Sequence, residues 1–216
     1  MLPVFLTLVL AQSSGDLYYQ AIQSGTQYRS SYSSYIQSKN QFLQYRTAST
    51  RLSSISDTNA VLGNRNLWQI AYLKYLRQTL ADATNIANYG QTITYLDLET
   101  EINALNSMQD QFSSPDSFEK VNAISQTWES RLEKSDKLIS NAKLQITSSR
   151  LTNFQNQLQS YLDKFKSEHA SPSASMISTL NLIDSKLQPT KQSNLEDRKK
   201  TLSDAAKLLL EIYAQP

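Results

Sequence analysis

Apolar side chains recur along most of this chain at intervals of three, four and seven residues, the spacing that gathers them on one side of an α-helix. Asp16 can cap a first helix over residues 16 to about 62, with Leu17, Ala21, Tyr28, Tyr32, Tyr35, Phe42, Leu52 and Ile55 on its stripe. Gly25 and the serines of 30–34 lower its helical propensity, and Gly63-Asn64 reads as its stop. A second helix, about 66–89, is apolar over more than half its circumference and is expected to be the most buried element, with Trp68 in the core. Gly90 reads as its end. A third carries Tyr95, Leu98, Ile102, Leu105 and Phe112 at heptad spacing, with Met108 beside them.

The clearest boundary is Ser113-Ser114-Pro115-Asp116, where Ser114 can cap and Pro115 suits a first helical position. From there a fourth helix reads on to about 168. Its stripe passes through Val121, Ile124, Trp128, Leu132, Ser135, Ile139 and Ala142, then Ile146, Leu151, Phe154, Leu158, Tyr161 and Phe165. Its register slips near Thr147-Ser148-Ser149, which predicts a stutter or break. A short helix holds Met176, Leu180, Ile183 and Leu187, closed by Pro189, and a last one begins near Asn194. No convincing stretch alternates polar and apolar residues. The class is all-α, and short separators predict an elongated antiparallel bundle with two long, coiled-coil-like helices over 12–216 and an internal boundary near 113–116.

Composition sharpens this picture. Only 4 Gly and 5 Pro interrupt 216 residues, and a 39% hydrophobic share suits helices with one apolar stripe better than a thick core. With no Cys and one His, most of the parts for metal sites and nucleophile dyads are missing, and no phosphate-binding or hydrolase motif occurs. No catalytic residue, cofactor or metal is therefore assigned. His169, just before the Pro172 break, reads as a helix cap. Arg198, Lys199 and Lys200 follow Glu196 and Asp197, a balanced solvated run rather than a nucleic-acid patch.

Charge is uneven although the net is only +2. Residues 1–80 carry seven bases and two acids, hence +5, and residues 81–112 carry five acids and no base, hence −5. This predicts that Asp97, Glu101 and Asp110 face Arg29, Lys39, Arg46, Arg51, Arg65, Lys74 or Arg77 of the earlier helices. Asp97 and Glu101 read as a solvated face, on which a pair is worth ~0–1 kcal/mol. Tyr28, Tyr32 and Tyr35 lie at helical spacing beside Arg29. They read chiefly as core filling, with a contact surface as the alternative. Tyr28, Arg29, Tyr32, Tyr35, Asp97 and Glu101 are the candidate partner surface.

Residues 1–11 stand apart. Leu2-Pro3-Val4-Phe5-Leu6-Thr7-Leu8-Val9-Leu10 leads into Ala11-Gln12, like the apolar region and small-residue site of a secretory signal, though without a basic residue ahead of it. The alternative is an apolar tail that docks on the bundle. The expected role is that of a non-enzymatic interaction or structural protein of the cell envelope, or a secreted one, binding a protein partner or itself through helix faces. It would bind no nucleic acid, and any membrane contact would be through 1–11. The competing readings are a pore-forming helical protein and an enzyme without a recognisable motif; a cytoplasmic product is the alternative location. Intact mass of protein from its native host is expected to show a chain starting at Gln12, and a full-length cytoplasmic product would refute export.

Overall fold

The first break in the helical run falls where no Gly or Pro marks it. In the computed structural model, which describes residues 12–86, 88–113, 115–169, 173–188 and 194–214, α1 (Ser14–Tyr45) stops at Arg46. Arg46 takes a left-handed conformation, φ 49° and ψ 32°, and its N–H bonds back to the Phe42 carbonyl. Thr47 then caps α2 (Ala48–Ala81) through a reciprocal capping box with Thr50, at 3.2 and 3.1 Å. Ser13 caps α1 in the same manner, accepting from the Asp16 N–H at 3.1 Å.

Gly63-Asn64, expected as a stop, lies inside α2 instead. The reason is tertiary. A Cβ on Gly63 would stand 3.3 Å from the Phe112 Cβ, so the missing side chain lets the 3₁₀ turn Gln109–Phe112 approach the helix. One turn on, fully buried Asn66 donates to the Leu105 carbonyl at 2.9 Å and to Gln109 Oε1 at 2.8 Å. Gly90 likewise ends nothing, because α2 stops at Ala81 and Gly90 sits in the first turn of α3 (Asn88–Met108).

The contacts divide the described chain into two compact units, one within 12–82 and 89–143 and the other within 83–88 and 144–214. The 113–116 boundary expected from sequence falls within the first unit. There α1 and α2 run antiparallel, with Tyr18 against Tyr75 (ring centroids 5.4 Å apart) and Tyr28 stacked on Trp68 (5.7 Å). Leu73, Leu80, Leu98 and Leu105 are fully buried in this unit, and Ile70, Leu76, Ile102 and Trp128 nearly so. The helix α4 (Phe118–Glu168) begins here, with Phe118 against Phe42 at 5.2 Å. At its N-terminus the Glu119 backbone amide holds the Glu119 carboxyl below its ordinary value, and the Lys120 ammonium does the same for Asp116.

In the second unit, the C-terminal part of α4 packs with α5 (Ala174–Leu187) and α6 (Leu195–Tyr213) around Leu158, Leu162, Phe165, Ile183, Leu202 and Ile212. Leu162, not Tyr161, occupies the core position, and Tyr161 is exposed. The helix runs unbroken through 147–149. Ser149 is buried and donates to the Thr84 carbonyl, and Asn153 donates to Thr84 Oγ1 at 2.9 Å, so polar residues there anchor the 83–88 segment instead of interrupting the helix. Asn194 caps α6, accepting from the Asp197 N–H at 2.8 Å. The described residues are helical throughout their regular structure and hold no strand, so the fold is all-α. Residues 1–11, Ser114, Pro172 and Pro189, and the roles read for them, lie outside the described residues.

Replacing Arg46 with Gly removes the steric cost of the left-handed conformation at the α1–α2 turn. Urea unfolding is expected to show a gain of about 0.5–1 kcal/mol. A loss would mean that the Arg46 side chain matters more than its backbone.

Candidate functional site

The acidic third helix does not present one face. Glu101, expected on a solvated surface, is fully buried against α4. Its Oε2 accepts from Arg131 Nη2 at 2.9 Å, and its Oε1 accepts from Arg131 Nε at 3.3 Å and from buried Ser135 Oγ at 2.9 Å. Lys134 Nζ is a second positive neighbour at 3.5 Å. Ser135 thus sits on an apolar stripe because it supplies a donor to a buried carboxylate. Three hydrogen bonds and the Lys134 ammonium together occupy the roughly four acceptor positions of the Glu101 carboxylate, which is how a buried charge is kept compensated.

Asp97 and Asp110 are exposed, and neither pairs with a base of the first two helices among the described residues. The proposed facing of Asp97, Glu101 and Asp110 toward residues 16–80 is therefore corrected. The two segments do meet through a carboxylate outside that set: Glu99 pairs with Arg77, the one ion pair joining them among the described residues. Helical rotation explains the miss. Glu101 lies one residue before Ile102 and three after Leu98, both buried, so a third helix enclosed from two sides carries Glu101 into the interior with them.

The tyrosine set gives a more open structure. Along α1 the residues turned to α2 are Leu17, Ala21, Tyr28, Tyr35 and Ser38, buried or half-buried. One position further on runs a second stripe at the same four–three spacing: Tyr18, Ile22, Gly25, Arg29, Tyr32, Ile36, Lys39 and Leu43. Its five large apolar members are exposed, Tyr32 by 48% and Leu43 by 56%. Tyr28 and Tyr35 thus fill the helix pair, as the core reading held, while Tyr32 and Arg29 do not. Sequence reasoning missed Ile22, Ile36 and Leu43. The doubled heptad, inward stripe and neighbour, was the available signal.

Trp68, expected in the core, is 39% exposed. A Cβ on Gly25 would lie 3.1 Å from its indole Nε1, so α1 and α2 close on the ring from one side only. Trp68 and Tyr72 form the floor of two adjoining hollows. One, of about 430 Å³, is walled by Tyr18, Ile22, Gly25 and Arg29 of α1. The other, of about 540 Å³, is walled by Trp128, Leu132, Asp136, Ile139 and Lys143 of α4, with Arg65 on its floor. Together they make one trough over α2.

The cations around this trough rest on uncharged groups. The Arg65 guanidinium lies 4.2 Å over the Trp128 ring, the Lys143 ammonium lies 5.5 Å over Tyr72, and Arg29 donates to Thr26 Oγ1 at 3.3 Å. Trp128, 2% exposed, keeps an indole Nε1 with no hydrogen-bond partner. The remaining candidates are occupied structurally. His169 stacks on Phe165 at 4.1 Å, with Nδ1 3.1 Å from the Phe165 carbonyl. Arg198 donates to Thr152 and Gln155, each at 2.9 Å. Among the described residues no group of three or more His, Cys, Asp or Glu is placed to hold a metal ion.

The fold and site thus define an all-α protein of two helical units, with a saturated buried carboxylate and an open aromatic trough in the first. No family model, curated protein or solved structure matches the chain.

Replacing Glu101 with Lys, read from sequence as a small surface perturbation, is expected to cost about 3–5 kcal/mol, because it buries a cation beside Arg131 and Lys134. Urea unfolding measures it, and a loss under 1 kcal/mol would show that this carboxylate is solvated.

Proposed function

We propose that this chain is a non-enzymatic interaction protein of the cell envelope, or a secreted one, that binds a protein partner through helix faces of its first unit. The observation that carries the reading is the exposed stripe Tyr18, Ile22, Tyr32, Ile36 and Leu43 running beside the trough. Large apolar residues aligned over most of a helix and left uncovered mark an interaction surface more often than isolated exposed ones. Tyr and Trp favour that use, since each brings broad contact area at low entropic cost. The extracytoplasmic placement rests on the sequence of residues 2–11 alone.

The pore-forming reading has less support. Among the described residues no helix is long and apolar enough to cross a membrane. The mature chain, starting at Gln12, is expected to release no dye from liposomes of anionic and neutral lipid; robust release would reverse the ranking. A photo-crosslinking residue at Tyr32, introduced in the native host, is expected to join the protein to a defined partner band, while the same group at exposed Lys200 is not. Equal labelling from both positions would remove the helix-face reading.

A further inference from the structure

The lining of the trough is positively charged above an aromatic floor, and among the described residues its cations form no ion pair. Arg29, Arg65 and Lys143 surround Trp68 and Tyr72, while Asp136 is the one acid lining either hollow. We propose that this trough takes an amphipathic helix of a protein partner, with acidic flanks on either side of its apolar stripe. The inference rests on the interaction reading above and specifies which face is used and by what.

Size and chemistry agree on such an occupant. From Tyr18 to Arg29 the α1 wall is twelve residues long, about 16 Å of helix from first to last Cα, which matches three turns of a docked partner helix. A guest helix brings an apolar residue to the floor every three or four positions, so two or three of them reach Trp68 and Tyr72. Acidic residues flanking that stripe then meet Arg29 on one wall and Lys143 on the other. Each of those cations is held by a hydroxyl or a ring, so pairing breaks no existing ion pair. A helix with basic flanks meets three like charges in the same place, which disfavours it.

A pair of capped 18-residue peptides tests this. Both carry Leu at the a and d positions of a heptad; one has Glu at the flanking positions and the other Lys. Calorimetry and Trp fluorescence follow binding to the mature chain. The Glu peptide is expected to bind at least about tenfold tighter than the Lys peptide and to weaken as salt rises, since the contacts are partly exposed. The double variant Arg29→Glu, Lys143→Glu, both on exposed positions, is expected to keep its circular dichroism and melting curve and to invert the preference. Trp68→Ala is expected to weaken both peptides.

Equal binding of the two peptides, no binding of either, or a preference untouched by the double variant overturns the proposal. So does a soluble anionic polysaccharide that binds as tightly as the Glu peptide, because charge alone would then account for the affinity. Salt-sensitive self-association abolished by Arg29→Glu would instead make a second copy the occupant and overturn the separate partner. The wider function reading is judged separately. A Tyr32 crosslink in the envelope with no peptide binding leaves that reading standing and removes only the trough's assignment.

Discussion

A helix that is apolar most of the way round has to be covered on more than one side, and residues 66–81 of α2 form such a stretch. Leu73 and Leu80 are fully buried, and Ile70 and Leu76 are nearly so, while Trp68 and Tyr72 extend the apolar surface beyond what its neighbours enclose. In the first unit α1 lies along one flank, the 3₁₀ turn and α3 approach the side of Gly63 and Asn66, and α4 comes up against Arg65 and Tyr72. Each buried apolar side chain contributes roughly 1.5–3 kcal/mol, so enclosing this helix is a large contribution to the stability of the unit. The trough is the part of α2 that three neighbours leave bare.

Polar groups inside the protein decide which arrangement of those helices forms. Asn66 reaches a main-chain carbonyl across the α2–α3 contact, and Glu101 ties α3 to Arg131 and Ser135 of α4. Helices with plain apolar stripes can slide by a turn at modest cost. A buried amide or carboxylate whose partners sit at one height cannot, because a slip leaves it unsatisfied at about 1–3 kcal/mol or more. In the second unit Ser149 and Asn153 do the same for the 83–88 segment through Thr84. Ser, Asn and Gln are thus used as register pins in a chain with few aliphatic residues to spare.

An open aromatic trough costs something to keep. Trp68 held 39% in solvent forgoes part of the burial its indole could have. Gly25 shows how the exposure is arranged: with no side chain there, α1 lies close against one edge of the ring while the other edge stays open. Beside it the Arg65 guanidinium lies over Trp128 and the Lys143 ammonium over Tyr72, so charged groups border the exposed ring without covering it.

The helical class, the inward stripes of α3, α5 and α6 and the start of α6 near Asn194 were determined by the sequence, because three–four periodicity and capping chemistry act over a few neighbouring residues. Where helices stop was legible only in part. Gly63 and Gly90 looked like terminators by intrinsic propensity, yet Gly63 lies inside α2 where its bare backbone admits Phe112, and the actual break at Arg46 comes from a left-handed residue followed by a Thr capping box. For the site, Tyr28 and Tyr35 as core and Arg29 and Tyr32 as surface follow from rotation about α1 once its partner is known. Glu101 and Trp68 exchanged their expected places for one physical reason. Burial depends on how many helices surround a position, and a single helix's periodicity records only that it has an apolar side. Which neighbours cover that side, and where they leave it open, was decided by the tertiary structure alone.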